Sequence, residues 1–331
     1  MLPIISRKLP NLFSDIIQKA LEKKESIGEE LAVVDQLLSN LFSNLANVHI
    51  DVLAQKGKKI RATLFFYFFN KFSESSKNFI DSSYEFTDLR LGLSAAPLGL
   101  AKDKKKKIWT AALIEAIHFA SIIHDDIVDD GTMRRGSTSL CQAFGRKFSV
   151  LIGDYIFANA SKLFLNLHQD DQFIRNLFLR ECSSTIRGAL KEQEITISTD
   201  IENCLRITSL KTSPFFKLSC FLGAYLASND FKASIKAATF GTCFGLLYQL
   251  QNDLDCFRFE NYFESEDYVQ NNITLPIIIL HQYFNINTSS DPENPQANYN
   301  KIKTKIYSEQ FCEILQNFTQ KYYEIVISDL I

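Results

Sequence analysis

Apolar residues recur at three- and four-residue spacing along most of the chain, and convincing strand-like alternation occurs nowhere. That period puts apolar groups on one face of successive helices, so the fold expected is all-α. Only 12 Gly and 7 Pro interrupt 331 residues, while 28 Phe and a 46% hydrophobic share supply a large core. One helical domain over residues 1–331 fits that supply, because all-helical chains of this length close around a single core. Two helices are expected between about residues 11 and 48. A buried one is expected over ATLFFYFFNKF, after the basic cluster Lys56-Gly57-Lys58-Lys59-Ile60-Arg61. From 73 to 107, Ser, Pro, Gly and the run Lys104 to Lys107 break the period and predict a surface excursion. Helices then follow over IWTAALIEAIHFASIIHDDIVDD, ended by Gly131, and over SVLIGDYIFANASKLFLNL. Further ones are expected around 174–195, 201–209, 214–226, 233–257, 275–284 and 307–327, with a polar loop at 285–300.

A formal net charge of −2 argues against nucleic acid as a partner, because there is no basic field to meet phosphates. Seven scattered cysteines, never spaced as CxxC, argue against a zinc site and a disulfide framework and point to a reducing, cytoplasmic setting. The segment MLPIISRKLPNLFSDII carries Pro and Arg inside its short apolar run, so neither a signal peptide nor a transmembrane segment is expected there.

The acidic run Asp125-Asp126-Ile127-Val128-Asp129-Asp130 closes an otherwise apolar helix. At about 100° per residue, Asp125 and Asp129 share a face with His118, two turns earlier. Four carboxylates in so short a stretch repel one another, and a cation relieves them. Mg²⁺ suits this pattern, since it takes one or two carboxylates and completes its shell with water and phosphate oxygens. Arg134 and Arg135 follow within a few residues, and guanidinium is the group suited to bidentate phosphate binding. Carboxylates for a metal beside arginines for phosphate predict a diphosphate site. The plainer reading is a solvated acidic helix end, salt-bridged to its own arginines.

The stretch EAIHFASIIHDDIVDDGTMRRGSTSLCQAFGRKFSVLIGDYIFANA closely resembles the first aspartate-rich region of the trans-isoprenyl diphosphate synthases. The likeness reaches upstream to Lys56–Ala62, similar to the family's Gly-Gly-Lys-Arg-x-Arg-Pro, and downstream to Lys211-Thr212, Gly223-Ala224, Tyr248-Gln249 and Thr274-Leu275-Pro276. The resemblance implies an isoprenoid-synthase bundle around a central cavity, a Mg²⁺-dependent prenyltransferase and a homodimer. By it, Lys58, Arg61, His118 and Arg135 hold isopentenyl diphosphate. Arg134 and Lys211 hold the allylic diphosphate, with Thr212 and Gln249 beside it. Asp125, Asp126 and Asp129 carry the metal ions, and the chemistry is ionisation, condensation and elimination. Without that context His118 reads as a core histidine.

The family's second aspartate motif is altered here. In the register of Tyr248-Gln249, Asn252 and Cys256 replace aspartates, Asp253 remains, Asp255 lies off register, and Asn272 stands where lysine is usual. Asp253 is expected to help bind a third metal; the alternative is an ordinary helix end. One turn before Asp125, Ala120 and Ser121 are small, which the resemblance ties to products of C20 or longer. The rival readings are a weak or silent subunit of a heteromer, a prenyltransferase or cyclase that does not use isopentenyl diphosphate, and a helical scaffold.

Overall fold

A computed structural model of the chain describes residues 24–43, 57–73, 102–134, 137–257, 272–286 and 295–330. The helices are α1 (Lys24–Ser43), α2 (Ile60–Ser73), α3 (Lys102–Val128), α4 (Leu140–Phe144), α5 (Arg146–Leu167), α6 (Gln172–Glu192), α7 (Ile201–Ser228), α8 (Phe231–Asp255), α9 (Leu275–Phe284), α10 (Pro295–Ile306) and α11 (Glu309–Leu330). The fold is all-α, as the periodicity predicts. A minimal antiparallel ladder joins β1 (Met133–Arg134) to β2 (Ser137–Thr138). Two residues per strand offer no alternation to read from sequence. Contacts group the chain into two compact units, Lys19–Leu179 with Leu218–Ala237, and Met1–Gln18 with Arg180–Lys217 and Ala238–Ile331. Every boundary between them beyond residue 100 falls inside a helix: α6, α7 or α8.

In the first unit α3 is the core helix, with Ile108, Ala111, Ala112, Leu113 and Ile114 all buried. Helix α5 runs antiparallel to it. Thr110 Oγ1 near the start of α3 lies 3.0 Å from His168 Nε2 just past the end of α5, and His124 near the end of α3 lies 3.3 Å from Asp154 early in α5. The approach is close: a Cβ at Gly153 would come within 2.4 Å of His124 Nε2, so no side chain larger than hydrogen fits without displacing that ring. Among the described residues α5 alone is long and apolar enough to cross a membrane. Its stripe Ile152, Ile156, Ala160, Leu163 and Phe164 is buried, and α5 packs on α3.

The excursion expected at 73–107 is corrected at its end. Helix α3 begins at Lys102, and 74–101 lie outside the described residues, as does much of the expected helical run at 11–48. Lys107 explains the extension, because it pairs with Glu30 of α1 and stands 4.7 Å over the Phe69 ring of α2. Solvated lysines would have broken the helix's apolar pattern; this one is held by a carboxylate and an aromatic face.

In the second unit, two helices expected at 201–209 and 214–226 are one. Helix α7 runs through Pro214, although a proline in a helix interior costs about 3 kcal/mol. Buried Cys204, Leu205, Ile207, Phe215 and Phe216 lie on both sides of it, and their burial outweighs that cost. The loop expected at 285–300 also ends early. The polar stretch from Pro295 forms α10 because Tyr299, Ile302 and Ile306, at i, i+3 and i+7, give it one buried face. The last helix, expected at 307–327, forms as Glu309–Leu330, and Leu275–Phe284 forms as expected, with Thr274 as N-cap residue.

Candidate active site

The acidic run lies where α3 stops. Asp129 N–H donates to the Asp125 carbonyl at 2.8 Å, so the helical turn persists to Asp129 and keeps these two carboxylates on one face. Gly131 N–H donates to the Asp126 carbonyl at 3.0 Å, and Asp130 takes a left-handed φ of 52° to close the turn. Asp126 is buried and Asp125 and Asp129 are partly buried. The last turn of α3 contains no basic residue, and the negative end of the helix dipole opposes carboxylates there. Arg146, from the start of α5, pairs with Asp130. The chain then returns through the β1–β2 ladder, tied down by Ser139, whose hydroxyl donates to the Gly131 carbonyl at 2.6 Å. Arg134 lies in β1, which puts its backbone beside this turn, while Arg135 lies outside the described residues.

Two turns back, His118 is partly buried, and Ser121 donates its hydroxyl to the His118 carbonyl at 2.7 Å. Ala120 is fully buried. The basic cluster meets the same helix. Ala62 N–H, in the first turn of α2, donates to Glu115 Oε1 at 2.9 Å, so Glu115 caps α2 one turn before His118. Arg61 is buried beside that contact and Lys58 is exposed just outside the helix. Lys59 takes a left-handed φ of 49°, and its ammonium pairs with Asp35 of α1. Sequence reasoning missed Glu115. The signal was available, because it is the single acid within the apolar run IWTAALIEAIHFASII.

The remaining site residues form a second group on α6, α7 and α8. Lys211 Nζ donates to Glu192 Oε2 at 2.5 Å. Thr212 Oγ1 donates to Gln249 Oε1 at 3.4 Å, and Gln249 Nε2 donates to Asp253 Oδ1 at 2.8 Å, which makes a relay from α7 to a buried carboxylate. Asp255 faces elsewhere, taking its hydrogen bond from Gln251 at 2.6 Å. Its off-register position on the helix therefore sets it apart from Asp253. Burial pushes the Cys204 thiol up to about 12, with Asp253 and then Glu192 adding to the shift and a hydrogen bond with Thr208 opposing it. A thiol so held stays protonated and is no nucleophile.

Among the described residues no three His, Cys, Asp or Glu side chains converge to hold an ion by themselves. The donor set still fits Mg²⁺. Asp125 and Asp129, one turn apart and both partly buried, supply the one or two hard oxygens that Mg²⁺ takes from a protein beside phosphate and water.

The family model for polyprenyl synthetase matches residues 43–311, a span that contains every candidate site residue. The chain belongs to the polyprenyl synthetase family. Among its relatives, the decaprenyl-diphosphate synthase of Dictyostelium discoideum is 33% identical over 149 residues, 44% of this chain and 31% of that protein. The heptaprenyl diphosphate synthase component 2 of Bacillus subtilis (strain 168) is 24% identical over 235 residues, 67% of each chain. The match thus spans a third to two thirds of those relatives' lengths. The heptaprenyl diphosphate synthase of Staphylococcus aureus superposes over 91% of both chains with a TM-score of 0.72 at 18% identity, which shows a shared fold.

Proposed function

We propose that this family member is a trans-prenyltransferase that condenses isopentenyl diphosphate with an allylic diphosphate and releases a polyprenyl diphosphate. The observation that carries this reading is the end of α3, where one continuous turn holds Asp125 and Asp129 on one face with Asp126 buried beside them. Asp125, Asp126 and Asp129 would hold Mg²⁺ there and Asp253 a further ion. Bound Mg²⁺ supplies charge stabilisation to a leaving diphosphate. Lys211 and Arg134 bind the allylic diphosphate and spread its charge as the C–O bond breaks. Thr212 and Gln249, already hydrogen-bonded to each other, orient that end. Lys58, Arg61, His118 and Arg135 grip isopentenyl diphosphate, so its double bond meets the allylic cation, and loss of a proton then restores an alkene. Two diphosphates bring roughly six negative charges, which the Lys, Arg and His side chains assigned to them would neutralise.

Small Ala120, fully buried, and Ser121, one turn before Asp125, support a product of C20 or longer, grown into a central cavity of the proposed single helical domain. Relatives named for heptaprenyl and decaprenyl products point the same way. A homodimer in the cytoplasm completes the reading; none of the seven cysteines is in a disulfide. The relative named as a component of its synthase suggests a heteromer as the alternative assembly. The test is turnover of the purified chain with Mg²⁺, isopentenyl diphosphate and each allylic primer from C5 to C20, with products separated by chromatography. We expect a chain of C20 or longer, abolished in Asp125→Ala. No product from any primer would leave a silent subunit or scaffold, and a product stopping at C15 would end the length assignment. Near-wild-type turnover of Asp253→Ala at limiting Mg²⁺ would remove Asp253 from the metal site.

A further inference from the structure

Glu192 has no role in the reading above, yet it holds the ammonium assigned to the allylic diphosphate. Lys211 Nζ and Glu192 Oε2 are 2.5 Å apart, with the lysine 19% and the glutamate 35% exposed. Glu192 is the last residue of α6, where the helix dipole disfavours a carboxylate and favours a cation, so the contact with Lys211 is what makes this a tolerable place for an acid. The lysine's backbone is fixed. A Cβ at Gly188, one turn earlier on α6, would lie 2.3 Å from Lys211 N and 2.6 Å from the Leu210 carbonyl carbon, so α6 and α7 touch backbone to backbone at this level. The carboxylate, at the end of its helix, is the more exposed of the two side chains. The chain leaves the helix at once, through turns in which Glu194 N–H donates to the Lys191 carbonyl at 3.1 Å and Ile195 N–H to the Glu192 carbonyl at 3.0 Å.

We propose that Glu192 is an internal competitor for the diphosphate, occupying Lys211 until substrate displaces it and returning when diphosphate leaves. This rests on the assignment of Lys211 to the allylic diphosphate. A diphosphate at Lys211 carries more charge than one carboxylate and repels Glu192, which turns into solvent from its partly exposed position. Partly exposed ion pairs contribute little net stability, so such an exchange is reversible at working substrate levels. Glu192 is a positioning residue: it sets how much allylic diphosphate is needed, without touching the reacting carbons.

The experiment is calorimetric binding of inorganic pyrophosphate, in Mg²⁺, to the wild-type chain, Glu192→Gln, Lys211→Met and the double variant, with Glu192→Ala as a second removal of the charge. Glu192→Gln and Glu192→Ala are expected to bind pyrophosphate roughly two- to five-fold more tightly. That gain should vanish in the Lys211→Met background, which a general loosening of α6 would not produce. In turnover, the KM for the allylic diphosphate should fall by a similar factor while that for isopentenyl diphosphate stays put. Unchanged or weaker pyrophosphate binding in both Glu192 variants, an equal gain without Lys211, or no binding to any form overturns the proposal. Absence of wild-type turnover alongside the expected binding pattern would instead overturn the prenyltransferase reading and leave the competition between Glu192 and pyrophosphate standing.

Discussion

At Cys256 the thiol is buried and donates to the Asp253 carbonyl at 2.9 Å, while its own carbonyl accepts the buried Tyr299 hydroxyl at 3.0 Å. The residue standing at an aspartate position of the family's second motif is here a joint between the end of α8 and α10. A carboxylate placed there would lose its hydration beside Asp253, which is also buried and accepts from Gln249. Burying a charge without a partner costs several kcal/mol or forces the group to stay protonated. Cys256→Asp is therefore expected to lower stability by about 2 kcal/mol or more, read as an earlier midpoint in urea denaturation, and to bring no gain in Mg²⁺ affinity. Asn252, only partly buried, is the position where an added aspartate is expected to leave the midpoint unchanged. A Cys256→Asp protein as stable as wild type would show that the α8–α10 joint opens to solvent.

The pairing of α3 with α5 depends on a neutral histidine. Thr110 Oγ1 already donates to the Lys106 carbonyl at 2.8 Å, so His168 Nε2 is the donor in its 3.0 Å contact with that hydroxyl. His168 Nδ1 is buried with no hydrogen-bond partner among the described residues. Burial, helped by the charge of Lys106, lowers the His168 pKa from 6.5 to about 3. The unfolded chain thus takes a proton below pH 6.5 that the fold refuses until about pH 3. The contribution is complete above 6.5 and is lost as pH falls through that window, at up to about 1.4 kcal/mol per pH unit. His168→Gln should flatten the fall in denaturation midpoint between pH 6.5 and 4 relative to wild type; parallel curves would mean the ring is protonated in the fold. This contact was not legible in the sequence, since its two residues lie 58 positions apart. The helices it joins were legible, because each has a long apolar stripe. The run through Pro214 and the extension of α3 to Lys102 were not, since there distant burial and a glutamate on α1 overrule local signals.

Over the whole chain, an all-α architecture follows from a period that nearly every segment repeats, whereas the grouping of site residues follows from packing that no local pattern encodes. Asp125 and His118 share a helix whose turn continues to Asp129, so their alignment could be read directly. That Thr212 reaches Gln249, and that Glu115 receives the start of α2, depends on which helices meet. The same limit applies to assembly. Helix α5 buries one face in its own unit and leaves Val150, Leu151 and Tyr155 exposed, at spacings of one, four and five residues, with Leu151 at 68%. Leu151 and Tyr155, one turn apart, share an exposed apolar strip, as expected of a face covered by a second copy in the proposed homodimer. A twofold contact would place the strip of one protomer against that of its partner, so a charge at its centre meets the same charge across the axis. Leu151→Asp is therefore expected to convert a dimer into a monomer in sedimentation equilibrium while its helical circular dichroism stays unchanged, because the residue is solvated in the separate chain. A dimer mass that survives the substitution would move the interface off α5, and a wild-type monomer would remove the homodimer from the proposal.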